Sequence, residues 1–217
     1  MVDIKFCGLT RPEDVAQAAH LGARYVGVIF AGGPRELTPD RAQQVFAEVP
    51  TSVSRVGVFG GQSADDIGRV AGRVGLDVVQ LHGDTDAERV TAIRRVFGGR
   101  VWTVVRVTDH LPDGAAELAD ACDGLVLDTL VASALGGSGR SFNWAAVSRG
   151  LAGFRTAAPI VLAGGLRPEN VQGAIASFAP PPDVVDVSSG VESAPGIKDP
   201  DRMRAFRDAV TRASVSR

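Results

Sequence analysis

Short apolar runs alternate along this chain with longer stretches in which apolar residues recur every three or four positions. The first run, Ile4-Lys5-Phe6-Cys7-Gly8-Leu9-Thr10, sets the pattern. Strand alternation sends Ile4 and Phe6 to one face, toward packing helices, and Lys5 and Cys7 to the other, so that a cation and a thiol share an interior face. Residues 12–22 then read as a helix: Pro12 is tolerated in the first turn, Glu13 and Asp14 suit its positive end, and Gly22 stops it. Residues 25–30 form a second strand and 31–37 a loop holding Gly32, Gly33, Pro34 and Arg35. Thr38-Pro39-Asp40 opens a helix to about residue 49. The alternation continues with strands at 54–59, 77–82, 101–107, 124–128, 160–163 and 184–187. Helices are expected at 63–74, 86–97, 114–122, 144–151, 168–178 and 199–213.

Strands with near-continuous apolar cores, each followed by a helix, call for a parallel sheet covered by helices. Eight such units in 217 residues fit one closed (β/α)8 barrel, residues 1–217 as a single domain, better than an open doubly wound sheet. In that architecture reactive groups gather where strands end and loops begin.

Composition narrows the class. Charge is nearly balanced, 23 basic against 25 acidic residues, so the chain lacks the footprint of a general nucleic-acid binder, while a small anion would need only a local site. No apolar run approaches the ~20 residues that cross a bilayer, and Met1 leads directly into a strand; a soluble, cytoplasmic protein is expected. Cys7 and Cys122 match neither a disulfide framework nor a metal-ligand spacing. Metal-free chemistry is expected, since no HxH pair, HExxH or carboxylate cluster offers metal-ligand spacing, and no cofactor is expected.

The candidate chemistry lies at strand ends. A thiol ionises near about 8.5, and the Lys5 ammonium beside Cys7 favours the thiolate, a better proton acceptor; an inert core cysteine is the alternative. Asp128 ends its strand on the face of Val126 and tops the interior as Cys7 does, unless it caps a helix or fixes a loop. Gln80 and His82 share a face with Val78 and line the mouth, His82 with a structural hydrogen bond as its alternative role. Arg35 offers a fork suited to a carboxylate or phosphate, or is an ordinary solvated arginine. Gly164-Gly165 and Ser188-Ser189-Gly190 put small residues with free N–H groups directly after the seventh and eighth strands, where barrels commonly bind phosphate. Gly136-Gly137-Ser138-Gly139 is a further close-approach loop.

These residues, in this order, resemble the phosphoribosylanthranilate isomerase family of tryptophan biosynthesis. The stretches IKFCGLT, VVQLHGD, LVLDT with GGSGRSFNW, VLAGGLRPENV and VDVSSGVESAPGIKD carry the resemblance over almost the whole chain. It implies a TIM barrel catalysing an Amadori rearrangement of a phosphosugar, with Cys7 as general base, Asp128 as general acid and Arg35 on the anthranilate carboxylate; a monomer or homodimer is expected. Gly32-Gly33-Pro34 departs from the family's usual serine before proline-arginine, and Ser138 and Asn143 stand for its usual threonine and aspartate. Another phosphosugar barrel, such as indole-glycerol-phosphate synthase or the tryptophan synthase α subunit, is disfavoured by the inward cysteine, since their chemistry rests on lysine or glutamate. A catalytically silent binding barrel is disfavoured by Cys7 and Asp128 together.

Overall fold

Strands this rich in valine and leucine need cover on both faces, and the chain supplies it by closing eight of them on themselves. The computed structural model describes residues 1–83, 85–108, 110–129, 144–152 and 156–215. In it β1 (Asp3–Phe6), β2 (Tyr25–Ile29), β3 (Ser54–Phe59), β4 (Val78–Leu81), β5 (Arg100–Val107), β6 (Leu125–Thr129), β7 (Ile160–Leu162) and β8 (Val184–Val187) form a closed barrel in chain order. Every neighbouring pair is parallel, and β1 closes the ring on β8 with Lys5 opposite Asp186.

The alternation read from the sequence divides the barrel's side chains into two packed layers. Outward residues such as Phe6, Val28, Leu81 and Leu127 meet the helices, Phe6 lying 6.2 Å from the ring of Phe206. Inward residues, among them Tyr25, Val56, Val78, Trp102, Val126 and Val184, form a separate core that fills the barrel below its mouth. Trp102 is fully buried and packs edge-on to Tyr25 at 4.8 Å, with the Arg100 guanidinium 5.4 Å from the other ring. Burying a side chain of that size contributes on the order of 1.5–3 kcal/mol, so the floor is a substantial part of the fold's stability.

The helices α1 (Pro12–His20), α2 (Pro39–Val45), α3 (Ala64–Val74), α4 (Ala87–Val96), α5 (Ala115–Ala121), α6 (Trp144–Ala152), α7 (Val171–Ala176) and α8 (Pro200–Val215) follow their strands in turn. Helix α3 shows why they form. Ser63 accepts a hydrogen bond from the Asp66 N–H at its start, Gly75 ends it in the left-handed region, and Ile67, Ala71 and Val74 give it one buried stripe.

Helices α2 and α7 fall three or more residues short of their predicted bounds. Helix α2 stops at Val45 because the chain tightens into three-residue turns, Ala47 N–H to Gln44 and Val49 N–H to Phe46, before Pro50. Helix α7 starts only at Val171, since the Asn170 side chain accepts from the Arg167 N–H and donates to the Gly165 carbonyl, shaping residues 165–170 into a turn. After β8 a short 3-10 turn (Ser189–Val191) leads into an antiparallel hairpin, β9 (Glu192–Ala194) and β10 (Ile197–Lys198), which the period-two reading did not anticipate. Thr10 donates to the Gly196 carbonyl at 2.6 Å, tying that hairpin to the loop after β1.

Candidate active site

The sequence-derived residues converge on one cavity of about 330 Å³ at the carboxyl end of the barrel. Cys7, Gln80, His82, Asp128, Gly164, Gly165, Ser188, Ser189 and Gly190 all line it. Arg35 stands beside it, not in its wall. The Gly136-Gly137-Ser138-Gly139 loop and Asn143 lie outside the described residues.

Cys7 lies one residue past β1, where its N–H still donates to the Val187 carbonyl at 2.9 Å and so keeps it in the ladder. Just below, Lys5 is fully buried and its Nζ donates to Asp186 Oδ2 at 2.7 Å. An isolated charge at that depth would be prohibitively costly, so the two groups account for each other. Burial pulls the Lys5 ammonium down, but Asp186 and Cys7 outweigh it and hold the amine above its ordinary value. For Cys7 the balance runs the other way. Burial pushes the thiol up, the nearby Lys5 charge opposes this, and Asp186 reinforces it, leaving the thiol harder to ionise than a free cysteine. The ammonium therefore favours the thiolate as its place in the sequence suggests, yet desolvation prevails.

Asp186 escaped the sequence reading, though a signal for it existed. An acid inside Val184-Val185-Asp186-Val187 and a base inside Ile4-Lys5-Phe6 are each anomalous in a buried strand, and barrel closure makes those strands neighbours. Its Oδ2 is held by Lys5, while Oδ1 is buried without a hydrogen-bond partner and Asp186 lines the cavity beside Cys7.

Across the mouth, half-buried Asp128 extends from β6 in register with Arg106 of β5. On β4, Gln80 is buried with its Oε1 unpartnered, and His82 is half-buried nearer solvent. The loops after β7 and β8 meet at Gly190. A Cβ there would overlap the Leu166 carbonyl, so only glycine permits this approach. Gly164 and Gly165 both adopt positive φ, 80° and 65°.

Arg35 reaches back over the loop after β1, where a Cβ at Gly8 would come within 2.7 Å of its Cδ. Its fork is filled by Glu192: Nε donates to Oε1 at 2.8 Å and Nη2 to Oε2 at 2.6 Å. Lys198, also buried, donates to Glu192 Oε1 at 2.8 Å and to the Ser188 carbonyl at 3.0 Å. Burial raises the Glu192 carboxyl, but these two cations win and hold it below its usual range. Burial likewise lowers Lys198, and Glu192 recovers only part of the loss. Among the described residues, no cluster of three or more His, Cys, Asp or Glu side chains is placed to hold a metal ion, and no helix is long and apolar enough to cross a membrane.

Residues 4–209 match the family model described as N-(5'-phosphoribosyl)anthranilate (PRA) isomerase. The chain belongs to that family. Among curated family members, the N-(5'-phosphoribosyl)anthranilate isomerase of Paracoccus denitrificans is 44% identical over 214 residues, covering 94% of this chain and 95% of the relative. That of Rhodospirillum centenum is 42% identical over 211 residues, covering 94% and 96%. The phosphoribosyl anthranilate isomerase structure from Thermotoga maritima superposes with a TM-score of 0.85 at 35% identity, covering 97% of this chain and 99% of that one. A second family structure, solved with reduced 1-(o-carboxyphenylamino)-1-deoxyribulose 5-phosphate, gives a TM-score of 0.81 at 33% identity with the same coverage.

Proposed function

We infer that this chain isomerises N-(5'-phosphoribosyl)anthranilate to 1-(2-carboxyphenylamino)-1-deoxyribulose 5-phosphate in tryptophan biosynthesis. Family membership over nearly the whole chain carries the assignment, and the wall of the cavity supplies groups suited to the chemistry. Asp128, protonated, gives its proton to the furanose ring oxygen as the C1′–O bond breaks and the iminium forms. Cys7, as thiolate, removes the C2′ proton, and that electron pair becomes the C1′=C2′ bond of an enolamine. These roles require an acid and a base on different sides of one sugar. Strands β1 and β6, three places apart around the ring, meet that requirement.

The phosphate sits against the loops after β7 and β8, where Gly164, Gly165, Ser188, Ser189 and Gly190 line the cavity and offer small residues with backbone N–H donors. Gln80 and His82 contact the body of the substrate, and Arg35 receives the anthranilate carboxylate through the edge of its guanidinium at Nη1. The reaction needs no metal or organic cofactor. The chain acts as one barrel domain, as a monomer or homodimer, in the cytoplasm, with no nucleic-acid partner. Loss of anthranilate-substrate fluorescence on adding the purified protein is the expected result. Unchanged fluorescence at high protein concentration would refute this activity and favour another phosphosugar barrel.

A further inference from the structure

Cys7 and Asp128 account for ring opening and C2′ deprotonation, but the enolamine must still lose its O2′ proton to become a ketone. By then Cys7 is a neutral thiol. A second acceptor close to Cys7 is needed, on the side where the C2′ hydroxyl lies.

Asp186 is such a group. Its side chain is 8% exposed, it lines the cavity with Cys7, and its buried Oδ1 has no hydrogen-bond partner while Oδ2 is occupied by Lys5 at 2.7 Å. A carboxylate that only balanced Lys5 could turn both oxygens to protein donors, and a bare buried acceptor is a costly arrangement. Lys5 holds Oδ2 and so fixes the carboxylate's rotamer, leaving Oδ1 bare in a residue that lines the cavity with Cys7. Asp186 also acts on the Cys7 thiol through space, as fits two groups close together in one cavity wall.

We propose that Asp186 is a third catalytic residue: Oδ1 accepts the hydrogen bond of the substrate's C2′ hydroxyl and takes that proton in the ketonisation step. This rests on the assignment of Cys7 as base. As the O2′–H bond breaks, its electron pair forms the C2′=O bond, and the C1′=C2′ pair takes the thiol proton of Cys7 at C1′. Cys7 returns to the thiolate, Asp186 is left protonated and Asp128 deprotonated. Exchange of one proton with solvent at each carboxyl restores both, so the isomerisation is proton-neutral overall.

The test is hydrogen exchange at C2′ in heavy water. If Asp186 serves the step after C2′–H cleavage, Asp186→Asn lets the enolamine form and revert. Turnover should fall by about 10²–10⁴-fold, the range for losing a general base. Substrate recovered at partial conversion should then carry deuterium at C2′, which the wild type leaves nearly unlabelled. The double variant with Lys5→Met and Asp186→Asn, free of an unpaired buried ammonium, should show the same labelling and guards against misfolding of the single change. Slow turnover with unlabelled substrate and a full primary isotope effect from C2′-deuterated substrate would mean that Asp186 acts only by tuning Cys7, and would overturn the proposal. Cys7→Ala should abolish labelling and turnover alike. Labelling that survives in Cys7→Ala would instead refute Cys7 as the base on which the proposal stands.

Discussion

Arg35 meets Glu192 through two parallel hydrogen bonds of 2.8 and 2.6 Å, so the guanidinium expected to receive a substrate carboxylate is already positioned by a protein carboxylate. Bidentate pairs of this kind give geometric specificity as well as energy. Here Glu192 aims Arg35 across Gly8, and Nη1 is left without a hydrogen-bond partner among the described residues.

Replacing Arg35 by alanine should therefore weaken binding of the anthranilate substrate more than that of a carboxylate-free analogue. A lost charge-assisted hydrogen bond costs about 1.5–3 kcal/mol, or roughly 10- to 150-fold in affinity. Paired calorimetric titrations measure the difference, and equal losses for both ligands would remove Arg35 from the carboxylate site.

The same network carries an acid sensitivity. Because the folded Glu192 carboxyl is held below its ordinary value of about 4.3, its contribution to stability is present above that pH and disappears as pH falls through the lower, folded-state value. Urea midpoints compared between pH 7 and pH 3 should fall more for the wild type than for Glu192→Gln. Identical slopes in the two proteins would show that the carboxyl does not titrate against Arg35 and Lys198.

Cys7→Ser and Asp128→Asn should each lower turnover by about 10²–10⁴-fold while leaving circular dichroism unchanged. Near-normal turnover in either folded variant would eliminate its assigned role.

With burial raising the Cys7 thiol, kcat/KM should climb with pH beyond the ordinary thiol value of about 8.5, because the deprotonated form is the active one. Removing the opposing ammonium with Lys5→Met should move that limb to still higher pH. A limb unmoved, or shifted downward, would contradict the electrostatic coupling between Lys5 and Cys7.

Phosphate binding is expected to depend on backbone apposition. Gly190→Ala must push the loops after β7 and β8 apart, since its new methyl would occupy the space of the Leu166 carbonyl. Exposed Arg167, changed to alanine, should matter less. Calorimetry with inorganic phosphate on both folded variants decides: normal affinity in Gly190→Ala with loss in Arg167→Ala would assign the anion to a side chain.

The barrel was legible because β-strand alternation and helix signals agree along the chain, and strand parity alone turned Cys7, Gln80, His82 and Asp128 toward one mouth. What stayed hidden depends on closure and on contacts distant in sequence. Lys5 and Asp186 are 181 residues apart, and only the β1–β8 pairing makes them partners. Glu192 reads as one more loop acid until the hairpin after β8 returns it to Arg35, 157 residues away. The fall of the thiolate below expectation is equally non-local, since desolvation is a property of the assembled wall and not of the Lys5–Cys7 spacing.

The packed floor beneath the cavity has a kinetic corollary. With Trp102, Tyr25 and their valine neighbours sealing the lower barrel, traffic among the described residues runs through the mouth in both directions. A product molecule must vacate the chamber before the next substrate can enter, and the two share one phosphate and one carboxylate. Accumulated product should thus raise the apparent KM for substrate and leave kcat untouched, a self-limiting behaviour imposed by architecture without any regulatory site.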